Sequence, residues 1–231
     1  MRLATTPDQT IRMTTSLVFA GAALNLAMGA AHGDLPENSG EAALAFVVAH
    51  PAYALIHFGS VVGATLWALG LGGYPRLLND PRARVVGGWA ASAALIGAAV
   101  LAVQFSLDGF GLPTMANRFV AADPATRATL GDIAMMSADV MIGLALLWVI
   151  LLYGLTIVLV ATSALLERRQ PRLLSWSGVI IGVWTGTGAL AVALGAEVIP
   201  DWLAFVSAIV GGNLWLMIWA ASARSRVKLA D

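Results

Sequence analysis

Cysteine is absent from the 231 residues, and charge is scarce: Asp, Glu, Lys and Arg together make up 11% of positions. Without a thiol there is no disulfide, no thiolate nucleophile, no cysteine-held zinc and no iron–sulfur cluster. A soluble domain is about a quarter charged. With 59% hydrophobic residues and a mean hydropathy of +0.82, this chain cannot cover a folded surface with water-compatible side chains. Its surface must face lipid.

Other absences narrow the chemistry. No Lys or Arg falls at mid-membrane depth, which excludes a Schiff-base lysine, hence a retinal protein, and a voltage sensor. There is no HExxH pair, and Ser60 and Ser137 stand in no nucleophile elbow. The glycines of residues 70–73 fall at a membrane exit and succeed no strand, so they form no phosphate loop. Basic residues are present only where topology demands them, which speaks against nucleic acid.

What is present is a set of six apolar stretches at residues 14–31, 53–73, 86–106, 139–166, 175–196 and 202–222. Each approaches or exceeds the roughly 20 residues that cross a bilayer core as a helix. The expected fold is all-α, one domain of six transmembrane helices. Lys and Arg fix the orientation: 11 of 13 fall on one side, with only Arg118 and Arg127 on the other, while 9 of the 13 acids lie on that basic-poor side. Positive charge stays inside. Both termini are therefore expected in the cytoplasm of an inner-membrane protein.

Arg2 and Arg12, an apolar run and Gly29-Ala30-Ala31 have the form of a cleavable leader. The run is long for one, and Asn25 lies within it between Gly21 and Gly29, so the first helix is expected to be retained. The inner loops, with Pro75, Pro81 and Pro171, read as tight basic turns. The outer loops are longer. Asn38 or Ser39 can cap a helix ended by Pro51, and Asp123-Pro124 is a cap with a first-turn proline after it, so both outer loops are expected to hold short interfacial helices. Gly178, Gly182 and Gly186, and Gly59 with Gly63, recur every four residues, a spacing for close helix packing within the bundle or in a homo-oligomer.

Polar residues inside a membrane are costly enough to warrant a functional hypothesis each. Asn25, Asn213, Thr185 and Thr187 lie near mid-depth. His57, Gln104, Asp108 and Asp139 lie towards the outer ends of their stretches. Asp139 heads a stretch of about 28 residues, or about 42 Å of helix. It reads as an acid favoured by a helix N-terminus, or as a partner for His57 or Gln104 in an outer pocket. His32, His50 and His57 all fall on the outer side, His50 and His57 seven apart. With Asp34 and Glu37 they could hold zinc, copper or nickel, or be unrelated polar residues at a helix mouth.

The acidic loop after the first helix, Ala49-His50-Pro51 before the second, and Arg169-Gln170-Pro171-Arg172 before the glycine-rich fifth resemble a bacterial family of six-helix membrane proteins of unknown function. That resemblance implies a fold and no activity. Locally, His50-Pro51, His57 and Leu66-Trp67-Ala68 are similar to the HPxxGxDH stretch of the nickel-permease and hydrogenase-accessory family, with Ala54 and Ile56 in place of its Gly and Asp. Only His50 and His57 carry over as metal ligands. Three functions stand as expectations. One is a non-enzymatic bundle serving a membrane partner or binding lipid or a small molecule. Another is a small-solute permease using Asn25, Asn213, Thr185 and Thr187. The third is a metal-dependent protein using His32, His50 and His57.

Overall fold

Backbone amides surrounded by lipid find no water to bond, so a chain this apolar must satisfy them within helices. The computed structural model describes residues 7–33, 35–36, 38–168, 170–196 and 200–225, and these are helical with no strand among them. Helix α1 is Pro7–Ala31, α2 Gly40–Ala49, α3 Tyr53–Gly73 and α4 Pro81–Ser106; α5 is Leu112–Ala121, α6 Pro124–Trp148 and α7 Thr156–Glu167; α8 is Arg172–Ala193, α9 Asp201–Val206 and α10 Asn213–Ser225. Three π-helical turns, Leu107–Gly111, Val149–Leu155 and Ser207–Gly212, join α4 to α5, α6 to α7 and α9 to α10 without breaking the helical run.

Among the described residues, five runs are long and apolar enough to cross a membrane: Asp8–Ala31, Tyr53–Leu77, Pro81–Ala121, Pro124–Glu167 and Arg172–Ala193. Two of them correct the expected boundaries. The Gly- and Pro-rich stretch after Ser106 does not become a loop, because the π turn carries the helix through it into α5, with Pro113 the second residue of α5. The fourth helix begins at Pro124, capped by the Asp123 side chain on the Thr126 N–H, 15 residues before the expected start. That backbone N–H, with the Thr126 hydroxyl, holds the Asp123 carboxyl below the usual carboxylate range. Arg127 donates to the carbonyls of Val120 and Ala122, closing the end of α5 and tying the two long runs together.

The packing has two centres. The main core runs through the bundle between α1, α3, α4, α7 and α10 and includes Val18, Trp67, Leu101, Leu152, Tyr153, Ile157 and Leu216. A smaller core, with Leu44, Val47, Tyr53, Leu112, Ala116, Ala134 and Met141, joins α2, α5 and the first half of α6 into a cap at the end of the bundle where α1 leads to α3. Ser39 is the residue that caps α2.

Close approach rests on bare backbone. A Cβ on Gly21 would stand 2.5 Å from the Gly63 carbonyl and 2.6 Å from the Trp67 nitrogen, so α1 and α3 touch at main-chain distance. Gly182 and Gly186 meet Gly154 in the same way, and Gly59 lies against Met28. The glycine stripes are thus used for packing within the chain. At the opposite end, the Glu167 carboxylate accepts the N–H groups of Asn79 and Asp80 at 2.9–3.1 Å, fastening the α3–α4 turn to the end of α7.

Gly21→Ala forces two backbones apart and is expected to cost about 1–3 kcal/mol. Gly143→Ala meets nothing within 4 Å and should be neutral or stabilising. Thermal melts of both variants in one detergent check the contrast, and equal midpoints would contradict it.

Candidate metal centre

His32 comes directly after the last turn of α1, His57 lies one turn into α3, and Asp108 is the second residue of the π turn after α4. A π turn adds one residue to a helical turn, which rotates the residues beyond it by about 100° relative to α-helical register. Asp108 and Gly109 are thereby brought against α3. A Cβ on Gly109 would collide with that of His57, so the absent side chain is what lets the two helices close at this point.

The three ligand-type atoms converge. His57 Nε2 lies 3.0 Å from His32 Nε2 and 3.0 Å from Asp108 Oδ2, and all three atoms lie within 4.8 Å of one another. The other nitrogen of each ring is already committed. His57 Nδ1 is 2.8 Å from the Tyr53 carbonyl and His32 Nδ1 is 2.8 Å from the Gly33 carbonyl. A carbonyl only accepts, so both Nδ1 atoms carry hydrogen and donate. In the neutral rings both Nε2 atoms are then bare lone pairs, aimed at each other and at a carboxylate oxygen.

With both rings neutral, three acceptors face one another at this point. A proton on His57 Nε2 gives a single donor shared between His32 and Asp108, and it can point squarely at only one of them. One cation between the three atoms serves all of them at once. The dimensions suit this: ligands at about 2.0–2.1 Å around a tetrahedral zinc are separated by about 3.3 Å. Rings locked through Nδ1 to backbone carbonyls are the usual outer support of metal-binding histidines.

Tyr53 touches every ligand. Its carbonyl fixes His57, its hydroxyl donates to Asp108 Oδ1, and its ring lies 4.3 Å from that of His57 and 6.1 Å from that of His32, centroid to centroid. Gln104, one turn before Asp108, donates to Asp108 Oδ2 at 3.4 Å and accepts from the Trp148 indole at 3.3 Å. His57 is fully buried, and Tyr53, Gln104, Asp108 and Trp148 are buried with it. His32 is half-buried and marks the way in.

The other expected site residues fall elsewhere. His50 is exposed, stacked on Phe46 and bonded to the Phe46 carbonyl, and takes no part in the cluster. Asp139 is exposed in the middle of α6, so neither reading of it holds: it heads no helix, and Asp108 occupies the place beside His57 and Gln104. Thr187 is exposed and bonds back to Val183 on its own helix. Thr185, Asn25 and Asn213 are buried further inside the bundle. Asp34 and Glu37 lie outside the described residues.

The chain matches no protein family, no curated protein and no solved structure with which it was compared. Its chemistry has to be read from the site itself. Tyr53 and Trp148 were not evident from sequence, and Asp108 was evident only as a polar residue at a helix end. A signal existed in the four-residue spacings Tyr53–His57 and Gln104–Asp108, each of which places two polar groups on one helix face.

Replacing His57 by Leu strands a buried carboxylate and is expected to destabilise the metal-free protein by about 3–5 kcal/mol, as loss of one partner of a buried pair does. Asp108→Asn removes the buried charge itself and should cost clearly less. Denaturant unfolding monitored by tryptophan fluorescence separates them, and equal losses would show that the pair is not the governing interaction.

Proposed function

We propose that this protein is a metal-binding inner-membrane bundle that takes a divalent first-row transition ion at its outer mouth through His32, His57 and Asp108. The observation that carries this reading is the convergence of two Nε2 atoms on a buried carboxylate, with each ring's Nδ1 donating to a backbone carbonyl. Two imidazoles and one carboxylate form a donor set suited to zinc, nickel or copper and poorly suited to magnesium or calcium, which prefer oxygen alone. Three protein ligands leave a fourth position open, as in sites that exchange ligands.

The charge asymmetry supports six spans with both termini in the cytoplasm, which puts the metal ligands at the outer surface. The carboxylate that the nickel-permease motif has at the position of Ile56 is supplied in this chain by Asp108, from a different helix. That difference in origin favours a metal role without making the chain a member of that family. A role confined to lipid or partner binding leaves the facing nitrogens unexplained.

Isothermal titration of the detergent-purified chain with zinc is expected to give one site per protein. His57→Ala and Asp108→Ala should each abolish it. Tyr53→Phe, which removes the outer hydrogen bond to Asp108, should weaken it by about 10–100-fold. His50→Ala should bind as the unaltered protein does. Absence of zinc, nickel and copper binding by the unaltered protein would overturn the reading, as would equal sensitivity to His50 and His57.

A further inference from the structure

Asn25 lies seven residues before His32 on α1, two turns and about 10 Å deeper into the bundle. Its amide nitrogen donates to the Ser60 carbonyl of α3 at 3.0 Å, and its oxygen accepts from the Tyr153 hydroxyl at 3.0 Å. Asn213 joins from the start of α10, its nitrogen 2.7 Å from the Ile209 carbonyl and 2.9 Å from the Tyr153 oxygen. Because the Ile209 carbonyl can only accept, the orientation of the Asn213 amide is determined: nitrogen towards Ile209, oxygen away.

That oxygen has no partner, although Asn213 is fully buried. The indole N–H of Trp67, whose ring centroid is 5.9 Å from that of Tyr153, is likewise buried and unpaired. Both π turns nearby serve this place. Tyr153 belongs to Val149–Leu155, and Asn213 comes directly after Ser207–Gly212. A Cβ on Gly212 would strike the Tyr153 ring, so the ring is seated on bare backbone. Interruptions of this kind in helices gather at functional positions.

A cluster that served only to fasten helices together would close its hydrogen bonds on itself. This one leaves the Asn213 oxygen open. We infer that Asn25, Tyr153 and Asn213 line a second binding site, distinct from the metal ligands, which takes a small uncharged hydrogen-bond donor, a water molecule in the simplest case, on Asn213 Oδ1. Such a molecule supplies the missing donor, as buried waters do. The site shares α1 and α3 with the metal centre. It does not depend on a metal being bound.

Hydroxyl-radical footprinting by pulsed X-rays, on the metal-free full chain in nanodiscs, tests this because radicals form from water held against a side chain. Tyr153 is fully buried, whereas Tyr74 is 5% exposed and sealed against Ser163. Tyr153 is expected to be oxidised faster than Tyr74 despite its deeper burial, because an internal water would lie against it. Asn213→Leu should bring it down to the Tyr74 rate. A Tyr153 no faster than Tyr74 would overturn the inference, and so would an unchanged rate in Asn213→Leu. If that variant does not fold, the ratio in the unaltered protein decides alone.

Discussion

A carboxylate buried among helices of a membrane bundle has to be matched from inside it, and Asp108 is the group around which the end of the bundle where α1 leads to α3 is built. Tyr53 donates to one of its oxygens, and Gln104 and His57 face the other. Three elements are held in place by this one side chain: the start of α3, the end of α4 and, through Trp148 and Gln104, the end of α6. The π turn that presents Asp108 and the glycine that lets it approach His57 both serve the same contact. Breaking a buried pair of this kind costs about 3–5 kcal/mol, a large share of a net stability that is typically about 5–15 kcal/mol.

The same constraint, satisfaction without water, explains the irregular helices. An unbroken α-helix offers polar side chains only at its own periodicity. Each of the three π turns shifts that periodicity by a residue, and each does so beside a buried polar group: Asp108, Tyr153 and Asn213. The interior is therefore not uniformly apolar. It holds an outer cluster with charge and an inner cluster without it, both joined by α1 and α3, whose backbones touch at Gly21 and Gly63. Spreading those two helices would loosen both clusters together.

The cap formed by α2, α5 and the first half of α6 gives the outer cluster its burial. Pro124–Glu167 is 44 residues, about 66 Å as helix, against a bilayer core of about 30 Å. Its first half packs on α2 at the Gly40–Gly131 contact and, with α5, forms the smaller core that includes Tyr53. Imidazole and carboxylate groups thus lie in a sheltered mouth, with half-buried His32 at its edge.

The class of fold was legible in composition and hydropathy, because apolar runs of about 20 residues match a membrane-crossing helix, whereas a barrel strand is about 10 residues long. Capping residues were legible for local reasons: Ser39 and Asp123 act on amides three residues away. The glycine stripes announced close packing, since spacing by four lines up one helix face. Hydropathy misplaces the helix ends at Ser106 and Asp139, because it measures preference for lipid and is blind to a helix that continues beyond it. The site was only half legible. His32 and His57 lie 25 residues apart and Asp108 a further 51, and no local rule selects His57 over His50 or Asp108 over Asp139. That choice was made by the tertiary structure, where the rotation of one π turn and the missing side chain of Gly109 decide which carboxylate meets which ring.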